Sequence, residues 1–353
     1  MGDTLGRSVS EDVRAKFASF EKIDAHLHFN AKNLDILALS EEYRFNLISV
    51  NVEFPEFGPI ADQRNVVLEL IAKETQRIHY VTSFSMENWE RSGWLDSIMA
   101  QIDADMQQGA LGVKIWKNIG MEVRDKTGSM VLIDDARLDG LFDFLEERGY
   151  PVVMHQAEPK NCWLPLNEMT MKYDREYFKM HPEYHFYLHG ELPTYEQLLA
   201  ARDRRLQKNP FLPTIQAHLG SMEWSVEHIA AFLDRFPNAV VDTAARMNHL
   251  MLQAQKDLQQ VRDFFVRYQD RILYGTDFFI THAHEPNEMK ALENIWLRDW
   301  TFLSTGYSMD TDEFEGPFQG LELPFSVLQK VYYRNAQRVF GLSVARNLEF
   351  IYV

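Results

Sequence analysis

Apolar residues along this chain gather in short runs that are separated by longer amphipathic stretches. The run at 239–241 is continuous, without polar alternation, which is typical of a strand that is buried on both faces. Within 94–108 the apolar residues recur at spacings of three and four, as on one face of a helix. Strands are predicted at 22–29, 46–52, 78–84, 110–117, 151–157, 213–219, 239–245 and 272–278. Helices are predicted between them, for example at 62–78, 94–108, 135–148, 195–209, 224–236 and 250–268.

The alternation of strand and helix predicts an α/β protein with a (β/α)8 TIM barrel. The repeats favour a closed barrel over an open doubly wound sheet, and no Gly-x-Gly-x-x-Gly follows the first strand to bind a dinucleotide. A length of 353 residues alone suggests about two domains, but such barrels often exceed about 250 residues as one unit. We therefore expect a single domain over 1–353.

Two stretches are longer than a barrel connection needs. The first, 158–193, follows the fifth predicted strand, and the second, 282–320, follows the eighth. Both are rich in aromatic residues, so we expect them to be ordered. Because both leave the carboxyl ends of strands, we expect loop insertions that cover and wall the active site. A contact between subunits or a small satellite core is the alternative.

Composition limits the partners and the kind of metal site. The formal net charge of −16 disfavours nucleic acid and anionic membranes as partners. The single cysteine, Cys162, excludes an intramolecular disulfide and a thiolate metal site. No run of about 18 apolar residues could span a membrane, and the first residues lack the apolar core of a signal peptide. We expect a cytoplasmic protein, unless a natural leader precedes the first residue.

Histidines and an aspartate stand at the carboxyl ends of several predicted strands. His26 and His28 share the first strand, where residues i and i+2 point to the same side. His155, His218 and Asp277 end the fifth, sixth and eighth strands. Any one of these histidines alone would more often be an ordinary core or surface residue. Since strand ends converge above a barrel core, the set predicts a divalent metal site, best suited to zinc, with manganese or iron as alternatives.

This set resembles the amidohydrolase superfamily, and specifically its amidohydrolase-2 branch of metal-dependent hydrolases and decarboxylases. The resemblance runs from residue 22 to the predicted terminal helix 325–342. Within that helix, Asn-Ala-Gln-Arg-Val-Phe-Gly-Leu at 335–342 is similar to an ending common in the branch. The resemblance implies that His218 either binds a second metal or contacts the substrate. The metal ligands that it implies are His26, His28, His155 and Asp277.

Four further residues are candidates for contact with a small-molecule substrate. We expect Lys114 and Lys117, in the fourth strand, to meet an anionic group. A carboxylated Lys114 that bridges two metals, as in binuclear relatives, is the alternative. Arg246, just past the seventh strand, suits a substrate carboxylate, unless it pairs with a nearby acid. Trp163 is expected in the pocket wall formed by the first insertion.

These features together predict a metal-dependent hydrolase of an amide, lactone or ester. A divalent metal lowers the pKa of its bound water toward neutrality, and Asp277 takes the water's proton and passes it on. His218 stabilises negative charge on the carbonyl oxygen. Nonoxidative decarboxylation of an aromatic acid is the first alternative, and a non-catalytic barrel with a vestigial metal site is the second. A homo-oligomer is compatible with the sequence.

Overall fold

A computed structural model describes residues 10–73 and 76–342. Within these residues, strands β1 to β9 form one sheet in which neighbouring strands are parallel. The strands are β1 Lys22–Phe29, β2 Phe45–Val50, β3 Ile78–Ser83, β4 Val113–Ile115, β5 Val152–Met154, β6 Thr214–Gln216, β7 Ala239–Asp242, β8 Ile272–Leu273 and β9 Phe278–Ile280. From β1 to β8 the neighbours follow chain order.

The sheet closes on its first strand. β8 pairs with β7, whereas β9, which follows shortly after β8, pairs with β1. Between them, the Ala25 N–H donates to the Tyr274 carbonyl (2.9 Å), and the Asp277 N–H donates to the His26 carbonyl (2.7 Å). Gly275 lies at this junction, where an added Cβ would be 2.9 Å from the His26 Cβ, so only glycine fits without a shift. The predicted (β/α)8 barrel is therefore confirmed.

Helices connect the strands of the barrel. The α-helices are Glu11–Ala18, Asp35–Glu42, Ile60–Ile71, Trp94–Gln107, Asp139–Arg148, Lys172–Met180, Tyr195–Lys208, Val226–Arg235, Met247–Lys256, Leu258–Arg267, Pro286–Ser304, Phe325–Gln329 and Asn335–Val339, with a π-helical turn at Lys330–Arg334 and kinked turns at Asn118–Met121 and Ala217–Gly220. Turns of 3-10 helix are Pro55–Phe57, Ala136–Leu138, Lys160–Trp163, Leu166–Glu168, Pro182–Tyr184 and Phe186–Leu188. A small antiparallel pair joins Ser308–Met309 to Phe318–Gln319. In the described part of the chain, every helix is too short or too polar to cross a membrane.

The predicted elements differ from the structure mainly at their ends. The helix predicted over 250–268 is two helices, because Asp257 begins the second by accepting a hydrogen bond from the Gln260 N–H. The helix predicted over 62–78 ends at Ile71. Residues 74–75 of that predicted helix lie outside the described residues. The same holds for 1–9 and 343–353 of the predicted single domain.

Side chains inside the barrel form an inner cluster. Along β1, the residues that face this cluster change at a shift in strand register. The inner cluster comprises Ile23, Ala25, Ile48, Val50, Val81, Val153, Ile215, Ala217, Val240, Leu273, Ala336 and Phe340. Ile23 belongs to it, whereas Leu27 packs in the outer core between sheet and helices. The pairing of β1 with β2 shifts register between Asp24 and Leu27, which changes the side that alternate residues face. His26 and His28 therefore face the interior at the mouth of the barrel.

Candidate metal centre and active-site cavity

The carboxyl ends of the strands surround a cavity of about 420 Å³. The ligand-type side chains predicted from the sequence all line it: His26, His28, His155, His218 and Asp277. The two histidines of β1 point into it from the strand itself, whereas the other three follow their strands in irregular backbone. The structure thus brings together the whole predicted set.

Hydrogen bonds fix the orientation of the two β1 imidazoles. Nδ1 of His26 lies 2.8 Å from Oδ2 of Asp242, and Nδ1 of His28 lies 2.6 Å from the Val50 carbonyl oxygen. Because both oxygens accept, each Nδ1 carries a proton and donates it. Each Nε2 keeps a lone pair, 3.5 Å from Oδ1 of Asp277 for His26 and 3.1 Å for His28. Three acceptor atoms therefore converge, as they do around a bound cation.

His218 and Asp277 both adopt left-handed backbone conformations, which residues other than glycine rarely do. Their φ angles are 60° and 62°. The His218 N–H donates to Oδ1 of Asp242 (2.7 Å), and the Asp277 N–H donates to the His26 carbonyl (2.7 Å). Nδ1 of His218 also donates to the Ala244 carbonyl (3.0 Å), so its Nε2 keeps a lone pair. Strain of this kind persists where the surrounding structure holds a side chain for a function.

Burial favours the neutral form of three imidazoles in the cluster. It lowers the pKa of His218 to about 3, lowers that of His28, and lowers that of His155 well below its ordinary value. Burial raises the pKa of Asp277, but the neighbouring His218 and His28 outweigh it and hold this pKa well below its ordinary value. These three residues therefore present neutral nitrogen donors beside one anionic carboxylate, the donors that divalent transition metals prefer.

His155 carries an unsatisfied nitrogen. Its Nε2 is buried and has no hydrogen-bond partner among the described residues. Its ring centroid lies 4.2 Å from that of His218, so the two imidazoles are neighbours in the cavity. A buried imidazole nitrogen without a partner costs free energy, which a bound cation would recover.

The two candidate lysines of the fourth strand have different surroundings. Lys114 is buried, and its Nζ donates to Nε2 of His26 across 3.3 Å. Burial lowers the pKa of Lys114 to about 8, and within the described chain no carboxylate lies within 4.0 Å of it. Lys117 lines the cavity but is already paired with Glu158. Lys114 is therefore the lysine that remains available to an anionic group.

Arg246 lines the cavity, whereas Trp163 does not. One guanidinium nitrogen of Arg246 donates to the Ala245 carbonyl (3.1 Å), and its Nε is buried without a partner in the described residues. The indole of Trp163 instead donates to the Pro193 carbonyl (3.2 Å) and packs against Phe186, with ring centroids 5.4 Å apart. Trp163 thus belongs to a satellite core beside the cavity.

Aromatic side chains form about half of the remaining wall. The first insertion, 158–193, supplies many of them, as expected, but the second, 282–320, supplies no lining residue. About half of the second insertion is instead the helix Pro286–Ser304, which packs against the helices Glu11–Ala18 and Asp35–Glu42 on the outside of the barrel. The aromatic lining residues are Phe54, Phe57, Trp116, Tyr173, Tyr177, Phe178, Tyr184 and Phe279.

Comparison with protein families agrees with this geometry. A family model described as Amidohydrolase, that of the amidohydrolase-2 family, matches residues 23–342. The chain belongs to the amidohydrolase-2 family. The resemblance seen in the ligand set is confirmed, and the protein is an enzyme of the amidohydrolase type.

Solved structures share the barrel of this amidohydrolase at low sequence identity. A 2,6-dihydroxybenzoate decarboxylase from Rhizobium has a TM-score of 0.53 and 16% identity, over 91% of this chain and 99% of that one. A probable 2-pyrone-4,6-dicarboxylic acid hydrolase from Acinetobacter baumannii, with citric acid bound, has a TM-score of 0.50 and 11% identity, over 91% and 100%. At such identities the likeness shows the fold alone. Comparison with curated proteins gives no match.

The donor set of the amidohydrolase fits a divalent cation. One ligand atom from each of His26, His218 and Asp277 lies within 4.8 Å of the other two. The buried Nε2 of His155, which has no hydrogen-bond partner in the described part of the chain, adds a nitrogen. Cys162, the single cysteine, is buried elsewhere, so no sulfur competes. A possible metal site is therefore present.

Proposed function

We propose that this amidohydrolase is a zinc-dependent hydrolase that cleaves an amide, lactone or ester in a small, carboxylate-bearing substrate. The observation that carries the proposal is the convergence of imidazoles and the Asp277 carboxylate in a cavity that Arg246 also lines. Free, buried Cys162 requires no oxidising compartment, so we keep the cytoplasm as the proposed location.

The proposed zinc ligands are His26, His28, His155 and Asp277. Nitrogen and oxygen donors suit zinc, with manganese or iron as alternatives. When bound, such a cation makes a water molecule acidic enough to supply hydroxide near neutral pH. Asp277, which stays ionised, is the proposed base that takes the water's proton and passes it to the leaving group.

His218 is the second proposed catalytic residue. It is neutral, and its Nδ1–H is held by the Ala244 carbonyl, so it offers a lone pair at Nε2. We therefore propose that His218 accepts a hydrogen bond from the water or the substrate, in place of the electrostatic role expected from the sequence.

The proposed substrate contacts are cationic and aromatic. Arg246 has no carboxylate within 4.0 Å among the described residues, so its guanidinium is available to a substrate carboxylate. Lys114 is the second cationic candidate, and Lys117 contributes only if its pair with Glu158 opens. The wall position expected of Trp163 is taken by other residues of the first insertion, such as Tyr177.

Nonoxidative decarboxylation of an aromatic acid is the second candidate function. The aromatic walls and the cationic Arg246 suit a planar carboxylate. Two structural relatives are named for carboxylate-bearing rings, one for decarboxylation and one for hydrolysis. Hydrolysis is preferred because an ionised Asp277 accepts a proton more readily than it supplies one to a ring carbon.

Isotope incorporation separates the two reactions. The zinc-loaded enzyme is given lactones, amides and hydroxybenzoates, and any substrate that turns over is followed in H₂¹⁸O and in D₂O. We expect ¹⁸O in a new product carboxylate. Release of CO₂ with deuterium on carbon would instead establish the decarboxylase, and a protein that cannot be loaded with metal would support a vestigial site.

A further inference from the structure

Asp242 connects three strands at the metal cluster. It is the last residue of β7 and is 1% exposed. Its Oδ2 lies 2.8 Å from Nδ1 of His26 on β1. Its Oδ1 accepts hydrogen bonds from the backbone N–H groups of His218 (2.7 Å), which follows β6, and of Ala244 (3.2 Å).

The first oxygen determines which nitrogen of His26 carries the proton. A carboxylate oxygen at Nδ1 keeps the hydrogen there, so Nε2 is left with a lone pair. That Nε2 lies 3.5 Å from Oδ1 of Asp277 and 3.3 Å from Nζ of Lys114. The opposite tautomer would present an N–H to the cluster and could not ligate a cation.

The second oxygen holds the turn that carries His218. His218 and Leu219 both have left-handed backbones, with φ angles of 60° and 58°. Such residues are strained and persist only where the surrounding structure holds them. The bond from the His218 N–H to Asp242 supplies that constraint at the strained residue itself.

We propose that Asp242 is a positioning residue, which sets the tautomer of His26 so that its Nε2 presents a lone pair to the metal, and which fixes the backbone of His218 so that its Nε2 faces the water or the substrate. The inference rests on the proposed metal site. It does not require Asp242 to contact the metal or the substrate.

Asp242→Asn keeps a side chain of the same size at this buried position and changes only the group that faces Nδ1 of His26. The amide oxygen can still accept from the two backbone N–H groups, so the fold is retained, and the amide NH₂ then faces Nδ1 of His26. An N–H at this position makes Nδ1 an acceptor and moves the proton of His26 to Nε2. We expect zinc affinity to fall by about 10- to 100-fold, as for other groups that orient metal ligands.

Two readouts test the proposal. Zinc affinity is measured by competition with a chelating dye, and the tautomer of His26 is read from long-range ¹H–¹⁵N spectra of the metal-free protein, with His26→Gln for assignment. We expect a protonated Nδ1 in the wild type and a protonated Nε2 in Asp242→Asn. The control is Asp299→Asn, another buried carboxylate, which hydrogen-bonds Tyr274 away from the cluster and should change neither readout.

The outcomes are distinct. A wild-type His26 protonated on Nε2, or equal zinc affinity in the wild type and Asp242→Asn, would overturn the role of Asp242 and leave the proposed function standing. A wild-type protein that binds no zinc would overturn the proposed function, and the tautomer spectra would still decide the role of Asp242, even if Asp242→Asn did not fold.

Discussion

Replacing His155 should reveal whether its unsatisfied nitrogen is kept for a metal. In the metal-free protein this Nε2 is buried without a partner in the described chain, a state that costs about 1–3 kcal/mol. Leucine has a similar volume and no polar atom, and a swap of similar volume costs less than about 1.5 kcal/mol in packing. Metal-free His155→Leu should therefore be as stable as the wild type, or more stable by up to about 2 kcal/mol.

Zinc should reverse this order. At a free zinc concentration of about 100 times Kd, binding stabilises the wild type by about 2.7 kcal/mol. His155→Leu lacks one proposed ligand and should gain much less. The assay is urea unfolding followed by circular dichroism, once with EDTA and once with buffered zinc, so that the midpoints of the two proteins cross between conditions.

A second buried histidine provides the control. Nε2 of His249 lies 3.6 Å from Oδ2 of Asp174, outside the metal cluster. His249→Leu removes that partner from a buried carboxylate, so it should destabilise the protein by a similar amount with EDTA and with zinc. The reasoning would be refuted if His155→Leu lost stability with EDTA, or if zinc stabilised it as much as the wild type.

Two further predictions concern the substrate anchor and a buried lysine. Arg246→Met should raise KM by at least about tenfold for a carboxylate-bearing substrate, as expected from loss of a charge-assisted hydrogen bond. Bound zinc should stay unchanged, and the matching methyl ester should show no such effect. Burial lowers the pKa of Lys22 to about 7, against 10.5 in the unfolded chain, so native Lys22 binds fewer protons in that interval and stability should rise with pH there. Lys22→Met should remove this rise, which amounts to about 1.4 kcal/mol for each unit of pKa difference. The free energy of unfolding is measured by urea titration between pH 7 and 10.5. The same pH dependence of stability in Lys22→Met and the wild type would contradict the lowered pKa of Lys22.

The barrel and the convergence of the histidines with Asp277 were predictable because both follow from where strands end. The continuous apolar run at 239–241 identifies a strand covered on both faces. His155 and His218 each follow such a strand, and parallel strands deliver their carboxyl ends to one site. Periodicity alone could not show that β1 changes sides near Asp24, because a bulge leaves no reliable mark in sequence.

The second insertion contained a helix signal that its aromatic content obscured. Met289, Leu292, Trp296, Trp300 and Leu303 recur at spacings of three and four, and all are buried against the barrel. A proline at the first helical position adds a start signal. Rich aromatic content therefore indicated burial here, without indicating proximity to the active site.

For the first insertion, the sequence could not show which aromatic residues face the cavity. Several of its residues line the cavity, but its position after β5 did not indicate which of its aromatic residues do so. Tyr177 lines the cavity, whereas Trp163 packs beside Phe186 in the satellite core. Irregular backbone has no period that assigns side chains to faces, so this choice depends on tertiary packing.

The features of the cluster that destabilise the metal-free protein all concern the same few side chains. His218 and Asp277 occupy left-handed conformations, and Nε2 of His155 lies buried without a partner in the described residues. Backbone hydrogen bonds hold these residues in place, so the strained backbones and the unpartnered nitrogen cannot be relieved by a local rearrangement. A barrel that only served as a scaffold could exchange them for apolar residues and become more stable. Their joint presence therefore favours a working metal centre over the vestigial alternative.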